Sequence, residues 1–306
     1  MYKLNHILVC LDLSEMDDSL IRYTRFLVNK IMPESVTFLH VMKPYDIPKE
    51  LLDTFPELDE PVPEIIREEL QEKISEQCHT GADVKIKVEV KEGSPIETIV
   101  KFTQKNNITL TLMGKKVAYP GNGGIIKKVL GIIPSSVLLV CESGYERIEN
   151  LLVRMDFTKA SEMALQMAFR LKELTGANIA CHHTHKLPVG YFPQVNPEKD
   201  EKLQKYVEKV SKKEFEKLKK NLKYNTDDLA FSFSIDTENE EDLILYRQAL
   251  TTGADMIIIG STLKSDLADI LTDVSPEKLA APNKNIPVFI VNDRSKAMVF
   301  LKRIFQ

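Results

Sequence analysis

Residues 7–13 read ILVCLDL and residues 151–157 read LLVRMDF, and these two stretches decide the fold of the chain. Each is a nearly continuous apolar run whose second-last residue is an aspartate, Asp12 or Asp156. A serine or threonine lies two residues after each aspartate. A run of this kind is typical of a parallel strand that is buried on both faces. Apolar residues at helical spacing follow each run, so a strand followed by a helix is predicted twice.

Further apolar runs follow both stretches in the same order and predict five strands in each half. The expected strands are 7–13, 36–41, 84–90, 108–113 and 137–141, then 151–157, 179–184, 229–235, 256–260 and 288–291. Matching residues recur at nearly constant offsets: 144 between Asp12 and Asp156, 143 between His40 and His183, and 146 between Gly114 and Gly260. A nearly constant offset through several strands indicates an internal duplication.

Strands that alternate with helices predict an α/β fold in which right-handed crossovers cover both faces of a parallel sheet. We expect two tandem, Rossmann-like domains, each with a five-stranded parallel sheet, in residues 1–144 and 145–294. The length of 306 residues suits two domains. Residues 295–306 form a short amphipathic tail, for which docking back onto the chain is expected and a dimer contact or interfacial anchor is the alternative.

The composition is that of an ordinary globular protein, with 43% hydrophobic and 28% charged residues. The net charge of −4 supplies no positive field for nucleic acid or an anionic membrane. No stretch approaches the roughly 18 apolar residues of a membrane span. We therefore expect a cytoplasmic protein without nucleic-acid or membrane partners, and we expect the lysine-rich segment 198–223 to be a solvated surface helix packed on the sheet.

The four cysteines are far apart and form no CxxC pair, which favours reduced thiols. The stretch Cys181–His185, CHHTH, is the densest set of metal-ligand side chains in the chain. Neighbours along a strand point to opposite faces, so these residues form no tetrahedral set without a ligand from elsewhere. A polar strand end is favoured over a metal site, and no metal is predicted.

Asp12 and Asp156 lie where the first strand of each domain is expected to end. Parallel sheets bind ligands at the carboxyl ends of their strands. A carboxylate at this place can hold a ribose hydroxyl or an adenine amine, and it can equally cap the helix that follows. The sequence leaves both interpretations open.

The arrangement resembles the universal stress protein family in a tandem, two-domain form, over about residues 3–142 and 148–292. The matching segments are ILVCLDLSE, VTFLHV, KEGSPIETIV, TLMGKK, PGNGGIIKKV and SSVLLV in the first half, and LLVRMDFTKASEMALQMAF, GADMIIIGS, SPEKL and NIPVFIVND in the second. The resemblance implies a fold related to the adenine-nucleotide alpha hydrolases, with the two domains forming an internal pseudo-dimer. ATP-binding members carry a Gly-x2-Gly-x9-Gly-Ser/Thr stretch after the fourth strand, whereas other members lack it.

The second domain departs from that stretch in a way that opposes phosphate. Gly260 matches the first glycine, but Leu263 and Asp273 occupy the other two positions, and Val274 replaces the hydroxyl residue. Their side chains block a close approach of the backbone, and Asp273 adds negative charge where a triphosphate would lie. We expect no ATP site in the second domain.

The first domain keeps more of the required chemistry in a loop that is five residues shorter, with Val117 in place of the second glycine. A glycine-rich turn and nearby lysines remain, and their N–H groups can form an anion nest at a helix start. The resemblance implies ATP as the candidate cofactor, with adenosine between Asp12 and Val41. The candidate binding residues are Asp12, Val41, Met113, Gly114, Gly121, Gly123 and Gly124. In the alternative interpretation, the glycines make only a tight turn and the lysines face water.

The sequence contains no nucleophile–base–orienter set, no acid and base pair of carboxylates and no HExxH helix. We therefore expect a non-catalytic protein of the stress response, and the expected partners are an adenine nucleotide and either a second copy of the chain or an unidentified protein. The alternative is a weak ATP hydrolase or an adenylate-handling enzyme on the same fold. That activity would require a magnesium-holding carboxylate beside the phosphates.

Overall fold

The computed structural model describes residues 4–44, 54–55, 61–79, 83–115, 123–142, 146–187, 200–238, 240–261 and 286–292. The chain divides into two compact units, Lys3–Glu146 and Arg147–Asp293. Each unit is an α/β domain with a five-stranded, fully parallel sheet. The predicted fold class of two tandem parallel-sheet domains is therefore confirmed.

The first domain alternates strands and helices throughout. Its elements are β1 His6–Leu11, α1 Met16–Ile31, β2 Ser35–Met42, α2 Val62–Gln77, β3 Lys85–Glu92, α3 Pro95–Lys105, β4 Leu110–Lys115, α4 Gly123–Leu130 and β5 Ser136–Cys141. The strands lie in the order β3-β2-β1-β4-β5. Since β1 is flanked by β2 and by β4, the direction of winding reverses there, which makes the end of β1 a topological switch point.

The second domain repeats this order. Its elements are β6 Asn150–Met155, α5 Lys159–Thr175, β7 Asn178–Lys186, α6 Glu201–Asn221, β8 Ala230–Asp236, α7 Glu241–Thr251, β9 Met256–Ser261 and β10 Val288–Asn292. The strands lie in the order β10-β9-β6-β7-β8, so β6 occupies the place that β1 has in the first domain. The switch point of the second domain is therefore the end of β6.

The cores are built from the strands that lie at the centre of each sheet. Ile7, Leu8 and Val9 of β1 are fully buried, as are Leu152 and Val153 of β6. Helices cover the sheet on both faces, so apolar side chains on either face of these strands leave water. Burial of each such side chain contributes about 1.5–3 kcal/mol to folding, which explains why the central strands are almost continuously apolar.

Both first strands end two residues earlier than the sequence predicts. β1 ends at Leu11 and β6 at Met155. Leu13 and Phe157 have positive φ angles of 60° and 57°, in the left-handed region that strands do not adopt. The strand therefore gives way to a tight loop in each domain, and this loop carries the aspartate. A left-handed leucine or phenylalanine leaves no signal in the sequence, since the residues typical of this conformation are glycine, asparagine and aspartate.

Several predicted features lie outside the described residues. They are the amphipathic tail at 295–306 and the positions Leu263, Asp273 and Val274 of the second phosphate loop. Among the helices that are described, none combines the length and the apolarity needed to cross a bilayer.

Candidate functional site

The candidate site of the first domain lies at the switch point, beyond the ends of β1 and β2. The last paired residues of these two strands are Leu11 and His40. Asp12 and Val41 are the residues that follow them. Asp12 is exposed and Val41 is half-buried. The fold thus brings these two predicted residues to one edge of the sheet, at the place where parallel sheets bind ligands.

A buried carboxylate shapes the loop that carries Asp12. Asp17 accepts hydrogen bonds from the backbone N–H groups of Asp12, at 3.1 Å, and of Leu13, at 2.9 Å. The hydroxyl of Ser14 donates to the carboxylate of Asp12. The N-cap position of α1 is Glu15, so Asp12 is not the cap of this helix. The capping interpretation of Asp12 is therefore wrong, because Asp17 on the helix itself holds the loop.

The two aspartates give this edge a clear electrostatic preference. Burial raises the pKa of Asp17 above its ordinary value; the loop N–H group of Asp12 lowers it, and the charge of the Asp12 carboxylate raises it again. A nearby negative charge disfavours an anionic ligand at the Asp12 loop and favours hydrogen-bond donors. The edge beside Asp12 suits hydroxyl and amino groups, and phosphates would need to lie elsewhere.

Met113 and Gly114 lie near the end of β4, the other neighbour of β1. Met113 is buried, and a Cβ atom on Gly114 would lie 2.4 Å from Cγ of Met16. The absence of a side chain at Gly114 therefore allows the first residue of α1 to lie against β4. This packing role accounts for the glycine independently of any ligand.

The glycine-rich turn of the first domain is described only in part. α4 begins at Gly123, so Gly123 and Gly124 form its first turn. The N–H groups of a first turn have no acceptor within the helix and point outward, which suits a phosphate. Gly121 and Val117 lie outside the described residues.

The matching edge of the second domain holds a cluster of charged side chains. Arg154 of β6 donates to Glu241 at the start of α7 and, at 3.1 Å, to Asp156 in the loop. The ammonium group of Lys186 lies 3.1 Å from the other oxygen of Glu241. Asp156 also accepts from the N–H group of Thr158, at 3.0 Å, and from its hydroxyl, at 2.5 Å. Asp156 is therefore hydrogen-bonded to groups of the protein itself.

The charges of this cluster stabilise one another. Burial acts to raise the pKa of Asp156, but the hydrogen bonds from Thr158 and the charge of Arg154 outweigh it and hold the pKa below its ordinary value. Burial likewise opposes ionisation of Glu241, and its contacts with Arg154 and Lys186 lower its pKa overall. Asp156 and Glu241 are therefore ionised at neutral pH, and the edge is filled by ion pairs.

Thr158, and not Asp156, caps α5. Its hydroxyl accepts from the N–H group of Ser161 at 3.4 Å, while Asp156 orients that hydroxyl. The capping interpretation is thus wrong for Asp156 as well. The two aspartates are positioned differently because Asp17 of the first domain is replaced by Ser161, whose side chain donates to the carbonyl of Thr158 at 3.0 Å.

Gly260, which matches Gly114, is in a tighter position. A Cβ atom on Gly260 would lie 2.0 Å from the carbonyl oxygen of Ala160 and 2.2 Å from its carbonyl carbon. The backbone of α5 thus lies directly on β9, whereas only a side chain lies over Gly114. The glycine after the fourth strand has a packing function in both domains.

The repeated histidines share one role. Nδ1 of His40 lies 3.1 Å from the carbonyl oxygen of Leu11, and Nδ1 of His183 lies 2.7 Å from that of Met155. In each case the imidazole N–H donates to the last carbonyl of the first strand, since a carbonyl oxygen can only accept. The predicted polar strand end is thus a histidine that ties the second strand of each domain to the loop of the first.

The neighbouring His182 lies on the opposite face of β7. It is 1% exposed, with Nδ1 2.8 Å from the hydroxyl of Ser232, and burial lowers its pKa to about 4. Within the described ranges, no three His, Cys, Asp or Glu side chains come together as a metal-binding group. All four cysteines are free thiols, and burial raises the pKa of Cys10 to about 12.

The sequence interpretation missed Arg154, Glu241 and the structural use of Asp17. One signal was present for Arg154, since LLVRMDF places a guanidinium inside an apolar strand, and a buried charge requires a partner. No comparable signal identifies Glu241, which is 87 residues away along the chain.

Comparison with known proteins finds a family that the first domain matches. Residues 3–142 match the model of the universal stress protein family. No curated protein matches the chain significantly.

Solved structures match the chain over its full length. A universal stress protein from Archaeoglobus fulgidus is 19% identical, with a TM-score of 0.60 over 95% of this chain and 97% of the other. A putative universal stress protein from Pseudomonas aeruginosa is 14% identical, with a TM-score of 0.58 over 99% and 98% of the two chains. A functionally unknown protein from Pseudomonas aeruginosa is also 14% identical, with a TM-score of 0.58 over 98% and 96%. At these identities the likeness shows the fold of both halves and nothing further.

Proposed function

We propose that this chain, whose first domain matches the universal stress protein family, is a non-catalytic stress-response protein of that family that binds one adenine nucleotide. In this proposal, domain 1 (residues 1–144) binds ATP and domain 2 (residues 145–294) binds none. The protein acts in the cytoplasm. The observation that carries the proposal is the contrast between the two switch points, where Asp12 is exposed and Asp156 is bound by Arg154.

The Asp12 edge suits the adenosine part of the ligand. The carboxylate accepts hydrogen bonds from ribose hydroxyls or from the adenine amine, and Val41 and Met113 supply apolar contacts beside it. Hydrogen-bond donors are favoured here by the negative charge of Asp12, which also raises the pKa of the neighbouring Asp17. A neutral, donor-rich nucleoside therefore fits this edge better than a phosphate does.

The phosphates are assigned to the glycine-rich turn that leads into α4. Gly123 and Gly124 present N–H groups at the positive end of the helix, and Gly121 precedes them. Gly114 lies between the two parts of the proposed site, where it keeps Met16 close to β4. In the proposed site Gly114 makes no contact with the ligand. It contributes because its lack of a side chain lets α1 lie close to β4.

Domain 2 is proposed to have lost nucleotide binding at its own switch point. A ligand hydroxyl at Asp156 would have to compete with Nη1 of Arg154 and with Thr158, and a guanidinium that moved away from Asp156 would also weaken its Nε hydrogen bond to Glu241. Breaking the pairing of a buried charge costs as much as about 3–5 kcal/mol, whereas a hydrogen bond from a ribose hydroxyl to a charged group returns about 1.5–3 kcal/mol. The ion cluster therefore acts as an internal substitute for a ligand.

Isothermal titration of ATP into the intact chain tests this assignment. We expect Asp12→Ala to weaken binding by about tenfold or more, since a hydrogen bond to a charged group contributes about 1.5–3 kcal/mol. The matched control is Ser14→Ala, which keeps the carboxylate of Asp12 and removes the hydroxyl that donates to it and that accepts from the N–H group of Met16. Gly123→Asp, which adds negative charge at the first turn of α4, is expected to weaken binding of ATP more than binding of adenosine.

Equal binding by the wild type and Asp12→Ala would overturn the adenosine assignment. The absence of binding by the wild type would overturn the proposal as a whole. Steady turnover of ATP by the wild type, abolished in Asp12→Ala, would replace it with the alternative of a weak ATP hydrolase.

A further inference from the structure

Helices α2 and α6 occupy the same place in the two repeats, between the second and third strands, yet they carry opposite charge. α2 has five glutamates, one arginine and one lysine. α6 has eight lysines and four glutamates. The chain as a whole has a net charge of only −4, so this difference is a local separation of charge and not a consequence of composition.

The lysines of α6 include a row on its outer face. Lys202, Lys209, Lys213 and Lys220 follow one another at spacings of seven, four and seven residues, which places them on one side of a helix. The buried side chains of α6 lie on the opposite side and are Val207, Ser211, Phe215 and Leu218. The row is about 27 Å long at 1.5 Å per residue.

The glutamates of α6 lie mostly beside this row and are paired with other lysines. Lys205 pairs with Glu201, Lys212 with Glu208, Lys217 with Glu214 and Lys219 with Glu216. As far as the described residues go, no carboxylate lies within ion-pair distance of the four lysines of the outer row. Tyr206, which is 62% exposed, lies between Lys202 and Lys209 on the same side.

The outer face of α2 carries the opposite pattern. Glu68, Glu72 and Glu76 are exposed at spacings of four residues, on the side away from the buried Leu70 and Ile74. They form one acidic row of about 12 Å at 1.5 Å per residue.

The two cations of α2 are engaged elsewhere. Arg67 lies 2.9 Å from Glu64, and Lys73 lies 2.9 Å from Asp18 of α1. Over the part of the chain described, no cation is within ion-pair distance of the acidic row. Ile65, which is 47% exposed, lies beside this acidic row, and Tyr206 lies within the basic row of α6.

We propose that α2 of one molecule docks on α6 of a second copy of the chain. The acidic row lies against the basic row, and Ile65 packs against Tyr206 at one end of the acidic row. Like charges aligned on one face repel one another in the free chain, and a row of opposite sign removes that repulsion. An exposed aromatic ring next to exposed charges supplies the apolar contact that interfaces combine with polar pairs.

A second copy is the occupant that the charges favour, because every molecule carries both faces in equal number. The contact is heterologous, since the two faces differ. It uses helices on the outside of the sheets and does not involve the nucleotide edge of domain 1. The proposal is therefore independent of the proposed function.

Sedimentation velocity of the full chain tests the contact. Wild-type protein is expected to associate at about 50 mM salt and to dissociate at about 500 mM, where the Debye length falls below about 5 Å. Replacing the lysine row with glutamate (K202E, K209E, K213E, K220E) should weaken association by about tenfold or more, and so should replacing the acidic row with lysine (E68K, E72K, E76K). The matched control, K205E with K212E, reverses charges beside the row and should leave association unchanged.

The sharpest test is a mixture of the two charge-reversed variants. One variant then has two acidic helices and the other two basic ones, so neither associates with itself at low salt and the equimolar mixture does. Circular dichroism verifies that both variants keep wild-type helix content. A wild type that stays monomeric at low salt, or a mixture that stays monomeric, would overturn the proposal. Capture of the wild type by anionic vesicles or nucleic acid without self-association would overturn it in favour of an external acidic partner.

Discussion

The switch points of the two domains come from one repeated unit and have acquired different chemistry. In domain 1, β1 carries the neutral Cys10, and Asp12 is exposed at the strand end. In domain 2, Arg154 occupies the position that matches Cys10, and it binds both Asp156 and Glu241. Two changes of residue type, Arg154 in place of Cys10 and Ser161 in place of Asp17, thus accompany the change of the aspartate from a candidate ligand group to part of an ion cluster.

The largest expected effect on stability comes from breaking the ion cluster of domain 2. Arg154→Met leaves Glu241, whose side chain is 9% exposed, without its guanidinium partner. Breaking a buried pair in this way costs about 3–4 kcal/mol of unfolding free energy, and the retained Lys186 keeps the cost within that range. Urea unfolding, with hydrogen exchange to assign the transition to domain 2, measures it.

An exposed ion pair on the same domain supplies the control. Arg170→Met removes an arginine paired with Glu173 on the surface of α5 and should cost less than about 1 kcal/mol. Equal costs for the two arginines would mean that the cluster is not what stabilises the edge of domain 2.

The next largest expected effect on stability comes from adding a side chain at the matching glycines, Gly114 and Gly260. Gly260→Ala places a Cβ atom 2.0 Å from a backbone oxygen of α5, so the helix must move, whereas Gly114→Ala meets only the side chain of Met16, at 2.4 Å. Overpacking against backbone is expected to cost about 2–3 kcal/mol and overpacking against a mobile side chain about 1 kcal/mol. Urea midpoints of the two variants at constant slope give the comparison. A larger cost at Gly114 than at Gly260 would contradict it.

Acidification is expected to have a smaller effect on the stability of domain 2. Burial lowers the pKa of His182 to about 4, so the folded state favours the neutral imidazole. The stability that this contributes is complete above the unfolded pKa of about 6.5 and is lost as the pH falls toward 4. Between pH 7 and pH 5, domain 2 should lose about 1–2 kcal/mol by this route.

Replacing the histidine with its counterpart tests the pH effect. His182→Leu introduces the residue that domain 1 has at the matching position, Leu39, and should flatten the dependence of domain 2 stability on pH between 7 and 5. The measurement is a series of urea unfolding curves across that range. An unchanged slope in the variant would assign the pH dependence to other groups.

The sequence was sufficient for the fold because the signals are local and repeated. Apolar runs, helical spacing and constant offsets all depend on near neighbours in the chain, and they located all ten strands to within a few residues. The error at the first strands arose from Leu13 and Phe157, whose left-handed conformation is imposed by the loop and not by their own preference.

The candidate site was less predictable because its chemistry depends on partners far apart in the chain. Sequence reasoning brought Asp12 and Val41 together, since both lie at the ends of predicted strands. It could not pair Arg154 with Glu241, and it interpreted the glycines after the fourth strands as remnants of a phosphate motif. In the structure they allow the first helix of each domain to approach the sheet.

The number of nucleotides bound per chain tests the central contrast most directly. Native mass spectrometry of the full chain with ATP in excess counts them without regard to which residues bind. One nucleotide per chain, with its occupancy lowered in Asp12→Ala and retained in Asp156→Ala, is the predicted result. Two nucleotides per chain, or one that is lost in Asp156→Ala and kept in Asp12→Ala, would contradict the assignment of the site to domain 1.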